Sequence, residues 1–148
     1  MSSRYTSLAI HLVFATQNRM PWVLPAIEHE LWNYLVGAAE RAGCHVHAVG
    51  GIEDHVHVLV ELQATQTVAA VVKSLKGSSS RWMSTRPDGN AAFAWQEGYG
   101  AFAVSRSGIP RVAAYIASQR AHHARRDFDR ELHVLAGVPE ARGTPKSS

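Results

Sequence analysis

With 148 residues, 46% of them hydrophobic and 18% charged, the chain has the size of one domain and enough apolar side chains to bury a core. Its one cysteine, Cys44, excludes an internal disulfide and a cysteine-based zinc site and fits a reducing, intracellular setting; no apolar run approaches a membrane span and the N-terminus lacks the layout of a signal peptide, so the expectation is a cytoplasmic protein with no membrane partner. The net charge of +3 is split unevenly, with three basic and six acidic side chains in residues 1–72 against twelve basic and six acidic in residues 73–148, and a basic half is either a footprint for a polyanion such as nucleic acid or a solvated surface.

Residues 4–16, RYTSLAIHLVFAT, have an apolar, β-branched and aromatic centre and read as a strand. The loop QNRMPW follows. Pro25 then opens an amphipathic helix that ends at Gly43, with Ile27, Leu31, Leu35 and Ala38 at helical spacing. CHVHAVGG and HVHVLVEL read as two strands of a hairpin joined by IED. Residues 67–83 form a second helix whose buried face is Val68, Val71, Val72, Leu75 and Ser79, weakened by Gly77 and a serine run. STRPDGNAA is a turn-rich loop, and a last strand falls around 99–105. IPRVAAYIASQRAHHARR is a helix with Pro110 in its first turn, DFDRELHVLAG a short helix capped by Asp127, and residues 138–148 a disordered tail. A single domain therefore occupies residues 1–137.

The order β-α-β-β-α-β followed by C-terminal helices is the α+β, ferredoxin-like (RRM-like) split βαβ pattern. It predicts an antiparallel four-stranded sheet with two helices on one face and an open face that commonly binds something.

Within EDHVHVLVEL, residues 53–62, Val56, Val58, Val60 and Leu62 alternate with His55, His57, Leu59 and Glu61. The valine side is core. Two histidines at i and i+2 stand about 7 Å apart on the other face, close enough to lean onto one cation, although a pair of surface histidines has the same spacing. His45 and His47 repeat that spacing one strand earlier, and periodicity does not choose between the pairs. On the helix from Ile109, an apolar stripe of Ile109, Val112, Ala113 and Ile116 adjoins a polar one of Tyr115, Gln119, His122 and Arg126.

Taken together, HLVFAT, GGIEDHVHVLVEL, VVKSLKGSSSRWM, FAWQEGYGAFAVS and YIASQRAHHARRDFDRE resemble, in order and spacing, the small single-tyrosine HUH transposases of bacterial insertion sequences. The REP-associated tyrosine transposases belong to the same superfamily. The resemblance covers about residues 8–132. It implies that His55 and His57, rather than His45 and His47, are metal ligands, that Gln119 is the third ligand and that Tyr115 is the nucleophile. It further implies a homodimer with composite active sites and a substrate of single-stranded DNA carrying a hairpin, an imperfect palindrome. Many members continue beyond the last helix with another ordered segment, where this chain has VPEARGTPKSS.

Two imidazoles and an amide oxygen leave coordination positions open for phosphate oxygens, which suits Mg²⁺ or Mn²⁺. Tyrosine attack would then give a 5′-phosphotyrosine and a free 3′-OH, a DNA nicking and strand-transfer chemistry that needs no ATP, in keeping with the absence of a P-loop motif. His122 is one candidate for the base. Lys73, Lys76, Arg81, Arg106, Arg111, Arg120, Arg125 and Arg126 are candidates for phosphate contact, and Trp82, Trp95 and Phe102 for base stacking, although most of these aromatics also suit a core. The competing readings are a domesticated relative processing chromosomal repeat hairpins by the same chemistry, a non-catalytic single-stranded nucleic-acid-binding module, and a metal-binding protein unrelated to DNA.

Overall fold

The computed structural model describes residues 6–119 together with Leu132 and Leu135. Four strands, β1 (Ala9–Ala15), β2 (His45–Ile52), β3 (His55–Glu61) and β4 (Gly100–Val104), form one sheet in the order β2-β3-β1-β4. Every neighbouring pair is antiparallel. This is the split βαβ arrangement expected from the element order. Of the run 4–16 read as the first strand, β1 occupies Ala9–Ala15, and residues 4 and 5 lie outside the described residues.

Helices α1 (Pro25–Arg41) and α2 (Val68–Thr85) cover one face. The helical spacing of Ile27, Leu31, Leu35 and Ala38 puts them on a single side of α1, where they meet Leu12, Phe14, Val56, Val58 and Val60 from the sheet. Val71, Val72, Leu75 and Met83 of α2 close the same core. Thr67 caps α2, its side chain accepting from the Ala70 amide at 3.1 Å. The helix runs unbroken through Gly77 because its apolar face is held by tertiary packing, which outweighs local propensity.

The opposite sheet face is not left open. Helix α3 (Ile109–Ala117) lies across β2 and β3. Its predicted stripe of Ile109, Val112, Ala113 and Ile116 packs against Ala9, Leu59, Ala48 and Val104. Leu132 and Leu135 pack against Val13 and Ala15 on the remaining part of that face. Gly50 permits α3 to approach β2, since a Cβ there would stand 2.5 Å from the Ile116 carbonyl oxygen.

The sequence reading extends the helix from Ile109 to Arg126 without a break. Instead α3 stops at Ala117, and Ser118 leaves the helical region at φ −110° and ψ 32°. The Ser118 hydroxyl donates to the carbonyls of Ala114 and Tyr115 at 3.0 and 3.3 Å, satisfying acceptors the helix leaves at its end. No helix among the described residues is long and apolar enough to cross a membrane.

Candidate active site

The period of two along β3 settles which face each histidine takes. Val56, Val58 and Val60 enter the α1/α2 core, so His55 and His57 face α3. Both are fully buried there, which excludes the reading of an exposed surface pair. Their ring centroids are 5.1 Å apart. Across the sheet His55 is paired with Ala15 and Ile52, and His57 with Val13 and Gly50. These small or apolar neighbours offer the imidazoles no hydrogen-bonding side chain in register, and the partners of their Nδ1 atoms come from a diagonal position, His11, and an adjacent one, Asp54.

The two rings are fixed by different partners. His55 Nδ1 lies 2.8 Å from Asp54 Oδ1, and His57 Nδ1 lies 2.8 Å from Nε2 of His11. With Nδ1 occupied in both, Nε2 is the nitrogen each ring has for a cation. His55 Nε2 lies 3.4 Å from Oε1 of Gln119, and the Gln119 amide nitrogen lies 3.4 Å from the Tyr115 carbonyl oxygen. Gln119 is itself buried. The Tyr115 ring stands edge-on to His57, with centroids 5.9 Å apart, and edge-on to His11 at 6.3 Å. The four residues predicted for the chemistry, His55, His57, Tyr115 and Gln119, thus meet in one place, all from one chain, even though Ser118 interrupts the helix between Tyr115 and Gln119.

Asp54 sits in the two-residue turn between β2 and β3. Burial acts to raise its pKa, but the hydrogen bond and charge of His55, together with Arg19, outweigh it and hold the carboxyl below its ordinary value. Arg19 reaches Asp54 at 3.4 Å. To do so the chain bends sharply after β1, with Asn18 and Arg19 both in the left-handed region at φ 56° and 58°. Two successive residues there cost about 1–2 kcal/mol each. The bend is anchored by Thr16, whose hydroxyl donates to the carbonyls of Met20 and Asp54 at 2.7 and 3.2 Å.

This donor set fits a divalent ion. Two buried imidazoles are oriented through Nδ1, and an amide oxygen already stands beside one of them. Among the described residues no group of three His, Cys, Asp or Glu side chains is placed to hold a metal ion, and the Gln119 amide oxygen is the further donor that stands beside the pair. The alternative pair has other work. His47 occupies the β-bulge between Val46 and Ala48 and pairs with Glu61 at 3.1 Å, while His45 is exposed at the start of β2.

The basic candidates are more scattered. Helix α2 lies on the sheet face away from the histidines, so Lys73, Lys76 and Arg81 belong to the far layer. Lys73 and Arg81 are exposed. Lys76 is not: its ammonium donates to the carbonyls of Gln96 and Gly98 at 2.7 and 2.8 Å and ties down the segment leading into β4. That is a structural use for Lys76 that charge counting did not reveal. Arg106 and Arg111 are exposed beside the start of α3, and Arg120, Arg125, Arg126 and His122 lie outside the described residues.

Of the aromatics, Trp95 stacks edge-on to Phe14 and Phe93 and donates to Ser79, and Trp82 stacks on Tyr34 at 5.0 Å. These two are packing residues here. Phe102 is half-buried on the histidine face, 6.2 Å from His11.

Sequence reasoning passed over His11, Asp54 and Gly50. A histidine inside an otherwise apolar strand was the available signal for the first. For the others, only their tertiary neighbours give them meaning.

The family model described as "Transposase IS200 like" matches residues 4–119. Among solved structures, one from Deinococcus radiodurans R1, described as a candidate transposase, superposes with a TM-score of 0.62 at 25% identity, covering 80% of this chain and 95% of that one. A REP-associated tyrosine transposase bound to a REP hairpin superposes with a TM-score of 0.60 at 12% identity, covering 83% of this chain and 74% of that one, a likeness of fold. No curated protein matches the chain.

Proposed function

We propose that this chain, which belongs to the IS200-like transposase family, cuts and rejoins single-stranded DNA by transesterification, with Tyr115 as nucleophile and His55, His57 and Gln119 as the holders of Mg²⁺ or Mn²⁺. The observation that carries the reading is the convergence of Tyr115 and Gln119 on the buried pair His55 and His57. A bound divalent ion supplies Lewis-acid polarisation of the scissile phosphate there.

The chain's own residues do the rest. The Tyr115 hydroxyl gives up its proton and its oxygen forms a bond to phosphorus. The bond from phosphorus to the 3′-oxygen breaks, and that oxygen takes a proton and leaves as a 3′-OH. The 5′ end stays on Tyr115 as a phosphotyrosine. One ester replaces another, so a 3′-OH can reverse the step and join a new strand without ATP. A phenol with an unperturbed pKa near 10 is a weak nucleophile at neutral pH, and attack must be coupled to loss of its proton.

The expected substrate is a hairpin-bearing single strand. One structural neighbour is described as bound to a REP hairpin, and the basic second half of this chain suits a polyanion. The expected assembly is a homodimer. Because all four residues come together in one chain, each subunit would carry a complete site in this arrangement, and exchange of α3 between subunits would produce the composite one.

The test is a hairpin oligonucleotide labelled 3′ of the nick, incubated with Mn²⁺ and run on a denaturing gel. Wild type shifts label to protein size. Tyr115→Phe, which removes one oxygen and keeps the ring, gives no adduct while retaining DNA and Mn²⁺ binding. An adduct persisting in Tyr115→Phe and vanishing in Tyr99→Phe would overturn the assignment.

A further inference from the structure

His11 faces the same site from β1 and has no place in the chemistry above. It is 1% exposed, on the strand face shared with Ala9, Val13 and Ala15. Its neighbours along β1 on that face are small or aliphatic, and an apolar residue would fill the position without the cost of burying an imidazole. What His11 has that a leucine lacks is a nitrogen, and its Nε2 lies 2.8 Å from Nδ1 of His57.

A neutral imidazole carries its proton on one nitrogen and a lone pair on the other. The bond between His11 and His57 therefore has two possible directions, with opposite consequences. If His11 Nε2–H donates, His57 Nδ1 accepts, and the His57 proton sits on Nε2, which then has no lone pair for a cation. If His57 Nδ1–H donates, His11 Nε2 accepts, and His57 Nε2 carries the lone pair. The direction of one hydrogen bond decides whether His57 is a ligand at all.

We propose that His11 is a positioning residue that accepts the Nδ1–H of His57 and so holds it in the tautomer whose Nε2 is ready for a divalent cation. Asp54 does for His55 what His11 does for His57, at the same 2.8 Å and on the same ring atom. The carboxylate can only accept, which fixes the direction outright. The histidine at position 11 can also donate, so its own tautomer must match. Tilted packing of the two rings, with centroids 5.0 Å apart and planes at 39°, keeps the bond in line. The inference rests on the proposed metal role of His57.

The decisive measurement needs no metal and is read on the wild-type protein. Long-range ¹H–¹⁵N correlation spectra of the metal-free protein, with imidazole signals assigned by substitution, report which nitrogen of each ring is protonated. Wild type is expected to show His57 protonated at Nδ1 and bare at Nε2. His57 protonated at Nε2 would overturn the proposal whether or not the variants below fold.

The second arm uses His11→Phe and His11→Gln. Loss of the acceptor in His11→Phe should move the His57 proton toward Nε2 and weaken Mn²⁺ binding, read by electron paramagnetic resonance, by about tenfold to a hundredfold. His11→Gln keeps an acceptor oxygen near the position of Nε2 and should restore both readouts. An unchanged His57 tautomer and unchanged Mn²⁺ affinity in both variants would leave His11 as packing and overturn the proposal. Wild type that binds no Mn²⁺ yet shows the expected tautomer would instead reject the metal reading of the site and leave the His11 to His57 bond direction standing.

Discussion

Gly50 in β2 lies directly beneath the backbone carbonyl of Ile116 in α3, so close that a Cβ would stand 2.5 Å from that oxygen and 3.2 Å from Ile116 Cγ2. A backbone carbonyl cannot swing aside as a side-chain tip can, so a larger residue must lift the end of α3. Gly50→Ala is expected to cost about 1–3 kcal/mol. Because Tyr115 adjoins Ile116 and Gln119 follows one turn later, adduct formation should fall further than the lost stability accounts for. Gly77→Ala is the control: nothing lies within 4 Å of its Cβ, and removing a helical glycine should stabilise by about 0.5–1 kcal/mol. Urea denaturation of both variants, with the gel-shift assay beside it, reads the contrast. A Gly50→Ala protein of wild-type stability and activity would mean that α3 is not seated there.

The two histidine pairs separate by partner. His55→Ala should lose Mn²⁺ binding and covalent adduct together, whereas His45→Ala should keep both, since His45 is exposed and lies on another strand. Titration of each variant with Mn²⁺, followed by paramagnetic resonance, is sufficient. Loss confined to His45→Ala would transfer the site to the wrong end of the hairpin and defeat the assignment.

Ser79 is a buried polar residue on the apolar side of α2. Its hydroxyl donates to the Leu75 carbonyl at 2.6 Å and accepts from Trp95 Nε1 at 2.9 Å. Ser79→Ala removes the acceptor of a half-buried indole N–H and should destabilise by about 1–3 kcal/mol, with a change in tryptophan fluorescence. Activity per folded molecule should be unaffected, because the bond lies in the layer away from the histidines.

Glu61 sets an acid-side dependence. Burial acts to raise its pKa, but hydrogen bonds from His47 and the Leu8 amide, with the charges of His47 and Arg106, outweigh it and hold the carboxyl below the usual glutamate value. A folded-state pKa that is depressed contributes stability fully present above the unfolded value, about 4.3, and lost as pH falls through the lower folded value. The stability gap between wild type and Glu61→Gln should therefore narrow as pH drops below about 4.3. With 28% of the side chain exposed, solvent screening keeps the effect small. A gap that widens on acidification would contradict the sign.

Much of the molecule was legible in advance because it depends on periodicity. The alternation along β3 fixed which side is core, and the α1 and α3 stripes named the residues that meet the sheet. The chemistry was less legible. His55 and His57 could not be told from His45 and His47 by spacing, and it was a resemblance across five segments that chose between them. Lys76 read as a phosphate contact because sequence shows a charge and not the carbonyls of Gln96 and Gly98 that receive it. The tryptophans read both ways for the same reason.

By itself, then, the sequence determined the order of the described strands and helices, the buried faces of β3, α1, α2 and α3, and the family. All of these follow from local repeats of about two and 3.6 residues and from segments read in order. Tertiary structure alone decided what stands opposite what. The register Val13↔His57 and the antiparallel return of β3 bring β1 beside the histidine strand, and only then does His11, 46 residues away in the chain, come within 2.8 Å of His57. Likewise Gly50 acquires its role only when α3 folds back across β2. A hydrogen bond or a close backbone approach is a relation between two positions in space, and no local pattern around either residue encodes its distant partner.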